Sequence, residues 1–115
     1  MRVDHSYPPV FLDKESFGEL PGDSRREMDL VARLRLHDGD AHFLVHVEHE
    51  AQNRGDFPER MFGYFARLWE RYKLPIYPIA VFSAAARQAR PQSFQLIFQD
   101  RVMLDFRYHI VECVA

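Results

Sequence analysis

At 115 residues, with 47% apolar side chains that include ten Phe, five Tyr and one Trp, the chain can bury one hydrophobic core and falls short of the length at which a second is expected. Fifteen Lys and Arg against seventeen Asp and Glu leave a formal charge of -2, which excludes the global basic footprint of many nucleic-acid binders. Arg25, Arg26, Arg33 and Arg35 crowd one short stretch, which reads either as a local basic surface or as a solvated strand face. Cys113 stands alone, so no internal disulfide forms, and no apolar run approaches the roughly 20 residues needed to cross a bilayer. Met1 to Val10 holds Asp4, His5 and a Pro pair where a signal peptide would be continuously apolar, so a cytoplasmic protein with no membrane partner is expected. The working count is one domain over residues 1–115, without repeats or low-complexity linkers.

Tyr7 to Leu12 reads as a short strand. From Glu27 to Leu36 the chain alternates, with Leu30, Ala32, Leu34 and Leu36 on one side and Asp29, Val31, Arg33 and Arg35 on the other. Alternation resumes from Ala41 to Gln52, with Ala41, Phe43, Val45, Val47, His49 and Ala51 on the apolar side and His42, Leu44, His46, Glu48, Glu50 and Gln52 on the polar side. Between them, His37-Asp38-Gly39-Asp40 is a strong hairpin signal, because both turn positions need positive φ. With Asp38 and Gly39 as the loop, each opposed pair sums to 77 and the two apolar faces coincide.

Asp56, Pro58 and Glu59 form a helix-start signature. Met61, Tyr64, Phe65, Leu68, Trp69 and Tyr72 then recur at helical spacing to about Lys73, a stripe read as core rather than as a base-stacking platform. Pro75 to Ser83 is a nearly continuous apolar run that suggests a buried strand. Ala84 to Ser93 is a polar connection, and Phe94 to Phe98 and Val102 to Val111 look like two more strands.

The same register places Asp29 opposite Glu48 and Glu27 opposite Glu50, four carboxylates on one face of the hairpin. Opposed like charges with Cβ atoms about 5 Å apart repel, so something must neutralise them. One reading is a surface cluster relieved by Arg25, Arg33 and water. The other is a hard divalent cation, since Mg²⁺ is held by one or two carboxylates together with waters and substrate phosphate. Zinc bound by His42, His46 and Glu48 fits less well, because strand residues four apart are separated by roughly 13 Å. His49, on the apolar side, is expected to be a core or interface histidine.

The segments Glu27-Met-Asp29-Leu-Val31, Val45-His-Val-Glu48-His-Glu50-Ala-Gln52, Arg60-Met-Phe-Gly-Tyr-Phe-Ala-Arg-Leu-Trp69 and Leu74-Pro-Ile-Tyr-Pro-Ile-Ala-Val-Phe-Ser83 resemble the recombination-promoting nuclease / putative transposase family. The resemblance runs from about Phe11 to Tyr108. It implies an α/β, restriction-endonuclease-like (PD-(D/E)XK) fold: a mixed β-sheet with a central β-hairpin followed by helix and strand. It implies Mg²⁺- or Mn²⁺-dependent hydrolysis of DNA phosphodiesters, with Asp29 and Glu48 as metal ligands. Position 50 stands where relatives carry the Lys or Gln that orients the attacking water. Glu50 cannot donate hydrogen bonds when ionised, so either Gln52 takes that role or Glu50 joins the metal ligands. Arg25, Arg54 and Arg60 are candidate DNA phosphate contacts. Relatives extend further at both ends, so a truncated fold lacking the first helix is expected, with an uncovered sheet face that favours a homodimer. A second class of function follows from Glu50, the short ends and the acidic balance: an inactive nuclease-fold remnant that binds DNA or itself.

Overall fold

A computed structural model describes residues 2–12, 28–37, 41–50, 55–83 and 92–112. Its elements are β1 (Val10–Phe11), β2 (Leu30–Arg35), β3 (His42–Glu50), α1 (Phe57–Tyr72), β4 (Ile76–Phe82), β5 (Ser93–Phe98), β6 (Arg101–Arg107) and β7 (His109–Glu112). Five strands form one mixed sheet in the order β1-β2-β3-β4-β7, and β5 and β6 form a separate two-stranded sheet. The architecture is therefore α/β, with a five-stranded mixed sheet and a helix.

β2 and β3 are antiparallel, and their register runs from Leu30 opposite Val47 to Arg35 opposite His42. Each pair sums to 77, as the Asp-Gly loop predicts, and the Leu36 N–H bonds the Ala41 carbonyl at 2.8 Å at the mouth of the loop. Residues 38–40 themselves lie outside the described set. β2 begins at Leu30, three residues later than the alternation suggests, because the chain bends at Asp29. β3 runs parallel to β4, with Glu48 beside Ala80 and Glu50 beside Phe82. Parallel neighbours need a crossover, and α1 supplies it.

α1 starts after Asp56 with Pro58 in its first turn, where the missing N–H costs nothing. The anticipated capping box is not made: the Asp56 side chain forms no capping hydrogen bond and instead lies 3.6 Å from Arg60. The helix ends at Lys73, which adopts a left-handed conformation (φ 53°) and donates its N–H to the Trp69 carbonyl. Its apolar stripe buries Phe57, Met61, Tyr64 and Leu68, while Trp69 remains 48% exposed under the Lys73 ammonium.

The helix packs on the sheet face opposite to the one that alternation favours. Leu44, His46, Glu48 and Glu50 of β3 are buried, together with Val31, Ala80 and Phe82 of the neighbouring strands. One cluster under α1 joins Met28, Val31, Leu44, Tyr64 and Leu68; the other joins Phe57, Met61, Ala80, Phe82, Phe106 and Tyr108. On the far face Phe43 and Ala32 are buried, but Leu30, Tyr77 and Val111 are exposed. His49 is exposed too, which corrects its assignment as a core histidine.

The expected strand from Val102 to Val111 is two strands. Tyr108 breaks it, so that β6 pairs with β5 while β7 turns to run parallel to β4. Pro78 is tolerated in β4 because β7 begins pairing only at Ile79. No helix among the described residues is long and apolar enough to cross a membrane.

Candidate metal centre

Asp29 and Glu48 meet at the end of β2 where the register places them, but the contact is not carboxylate to carboxylate. The Asp29 backbone N–H donates to Glu48 Oε2 at 2.7 Å, and the Asp29 carboxylate accepts the His49 N–H through Oδ2 at 2.8 Å. The bend at Asp29 explains both bonds. β2 has stopped, so the side chain of Asp29 takes the backbone donor on β3 that a continuing strand would have met.

Glu48 is 4% exposed, and an ionised carboxylate buried this deeply requires donors or a cation. It finds two donors on one oxygen. His46, fully buried, brings Nε2 to within 2.9 Å of the same Oε2 that the Asp29 N–H reaches. Neither bond engages Oε1. His46 and Glu48 are two residues apart on one strand, so their side chains share a face and their heads can touch.

Glu50 lies further along that face, 6% exposed, and Arg60 reaches it from the first turn of α1 at 3.6 Å. The Arg60 guanidinium also approaches Asp56 and sits 5.1 Å over the Phe57 ring. Its placement is therefore inward, against the carboxylate face, rather than outward on an exposed phosphate-binding surface. The reading of a solvated surface cluster of acids does not hold for Glu48 and Glu50, because both are buried.

Of the other residues singled out from sequence, Glu27, Arg25, Gln52 and Arg54 lie outside the described residues. His42 does not join the site: His46 alone of the strand histidines contacts Glu48. Among the described residues no group of three or more His, Cys, Asp or Glu side chains is placed to share one ion. What the arrangement offers is narrower: carboxylate oxygens of Asp29 and Glu48 at one strand end, with Glu48 Oε1 outside both hydrogen bonds. Hard oxygen donors in that number suit Mg²⁺ or Mn²⁺, which complete their shells with water and substrate oxygens.

His46 is the residue that sequence reasoning passed over. The available signal is the His-x-Glu spacing, which on a strand puts both side chains on one face within reach of each other. Comparison of the chain with protein-family models, with curated proteins and with solved structures finds no match.

Proposed function

We propose that the chain is a metal-dependent DNA endonuclease of the restriction-endonuclease-like class and of the recombination-promoting nuclease type, acting in the cytoplasm. The observation that carries this reading is the meeting of Asp29 and Glu48 at the open end of an antiparallel hairpin whose second strand leads through α1 into a parallel strand. That order of elements is the one the resemblance implies, and it brings two acids from separate strands to one point.

In this reading Asp29 and Glu48 hold Mg²⁺ or Mn²⁺. Such an ion polarises a phosphate oxygen and lowers the pKa of its bound water. Asp29 and Glu48 then have only to stay fixed, which the backbone donors of Asp29 and His49 and the imidazole of His46 support. Arg60 neutralises Glu50 and keeps a positive charge beside the centre. With Mg²⁺ or Mn²⁺ the purified protein is expected to relax supercoiled plasmid, and Asp29→Asn or Glu48→Gln should reduce the rate by about 100-fold or more. A wild-type protein that leaves the plasmid intact, with Glu50→Gln and Glu50→Lys doing no better, would sink the nuclease reading.

A second reading, a non-catalytic remnant of the same fold that binds DNA or self-associates, draws on one observation. Glu50, at the water-orienting position of relatives, is held by Arg60, and an ionised carboxylate donates no hydrogen bond. DNA binding unaffected by Asp29→Ala, together with no measurable metal binding, would favour it.

A further inference from the structure

We propose that His46 is the positioning residue for Glu48: its Nε2–H, with the Asp29 N–H, fixes Oε2 and leaves Oε1 as the oxygen for the cation. The inference rests on the metal-site reading and adds to it a residue on which neither the family resemblance nor the trio of acids places a role.

Three observations carry it. The first is geometry. His46 Nε2 lies 2.9 Å from Glu48 Oε2, and with Glu48 as the carboxylate ligand that the metal-site reading requires, the imidazole is the donor of this bond. Two donors converge on one oxygen of Glu48, which sets the plane and direction of the carboxylate.

The second is how the ring itself is held. His46 stands on the central strand with Val31 beside it on β2 and Pro78 beside it on β4, and the Tyr64 ring closes over it edge-on at 5.4 Å and 82°. A ring with no solvent exposure and neighbours on three sides keeps its plane, and the 2.9 Å contact with Oε2 picks the nitrogen that faces Glu48, so the constraint passes to that carboxylate.

The third is a deficit. His46 Nδ1 is buried without a hydrogen-bond partner among the described residues. A side chain selected for packing alone would be apolar here, under Tyr64, since an unmet buried nitrogen lowers stability. The position keeps an imidazole at that cost, and the other nitrogen is aimed at the acid expected to ligate. Outer-shell partners of this kind, holding a ligand by its non-ligating atom, commonly set metal affinity.

The test is Mn²⁺ titration by calorimetry on the full chain, in the wild type, His46→Leu, His46→Gln and Glu48→Gln, each first checked for folding by urea unfolding. His46→Leu should weaken Mn²⁺ by about 10- to 100-fold. His46→Gln, whose amide N–H₂ can reach Oε2, should recover most of that loss. Equal affinities in the Leu and Gln variants, or a Leu variant that binds as tightly as wild type, overturn the positioning role. The metal-site reading survives that outcome so long as the wild type binds Mn²⁺ and Glu48→Gln does not. A wild type that binds no Mn²⁺ removes both.

If His46→Leu does not fold, the wild-type ring decides by ¹⁵N NMR. A proton on Nε2, with a ring signal that moves on adding Mg²⁺, supports the assignment; a proton on Nδ1 alone, or a signal indifferent to saturating Mg²⁺, overturns it.

Discussion

The two hairpins of this chain invert the usual relation between polarity and burial. β2–β3 carries His46, Glu48 and Glu50 in the interior, whereas β5–β6 leaves Leu96, Ile97, Phe98, Val102 and Met103 exposed at its tip. Their local order differs as well. The first keeps one register throughout, while the second slips by a residue between Leu96 and Ile97, with Met103 as the extra residue on β6. What separates them is α1. The helix lies over the acids of β3, but it touches the second hairpin only at its base, where Phe62 stacks on Phe94 and Phe62 and Phe65 meet Phe106. Burial here is decided by where the crossover helix lands and only secondarily by the character of the residues beneath it.

Substitutions of similar size in the two hairpins should therefore behave very differently. The largest effect is expected for Leu44→Ala, which empties a fully buried site against Tyr64 and Leu68 and should cost about 3 kcal/mol in urea unfolding. Arg60→Leu comes next. It removes the Arg60 ion pair from the buried Glu50 and should cost about 2 kcal/mol, part of which a second change, Glu50→Leu, should restore. If Arg60→Leu proves neutral, the interior acids are better solvated than the burial of Glu50 implies.

At the junction between the second hairpin and the sheet, burial pushes the Tyr108 hydroxyl up from 10.0 to about 12. The unfolded chain thus releases this proton first, and between pH 10 and about pH 12 the native state binds more protons than the unfolded one. Stability contributed by Tyr108 is present below pH 10 and declines as pH rises through that window; Tyr108→Phe should flatten the decline in a series of unfolding curves. The smallest effect is expected at the tip. Phe98→Ala removes a whole aromatic ring, yet at 67% exposure it should shift stability by no more than about 0.5 kcal/mol. A larger loss would mean that the tip packs against something in solution.

Much of this was readable in advance. The Asp38-Gly39 loop and the alternation on either side set the pairing of β2 with β3, and therefore the meeting of Asp29 with Glu48, because a two-residue loop leaves one register that aligns both apolar sides. The span of α1 followed from Pro58 and the stripe from Met61 to Tyr72. The covered face did not follow. β3 has apolar residues on both sides, Phe43 and Val45 on one and Leu44 on the other, and alternation counts residues without knowing which side a helix further along the chain will choose. The carboxylates were expected on the exposed side for that reason, and His49 on the interior one. Tyr108 was hidden because no Gly or Pro stands between Arg101 and Glu112 to mark a break between β6 and β7. The bend at Asp29 was equally silent, since a strand that begins at Leu30 and one that begins at Glu27 show the same alternation.

That bend gives Asp29 a second task. Because its carboxylate takes the His49 N–H, β3 is protected one step beyond the point where β2 stops, and the protecting group is a side chain. The amide of His49 is thus a reporter of residue 29 that needs neither metal nor DNA. In hydrogen exchange it should be slow in the wild type and fast in Asp29→Ala, with Val47 unchanged. An experimenter who loses metal binding in that variant can then tell a missing ligand from a frayed strand.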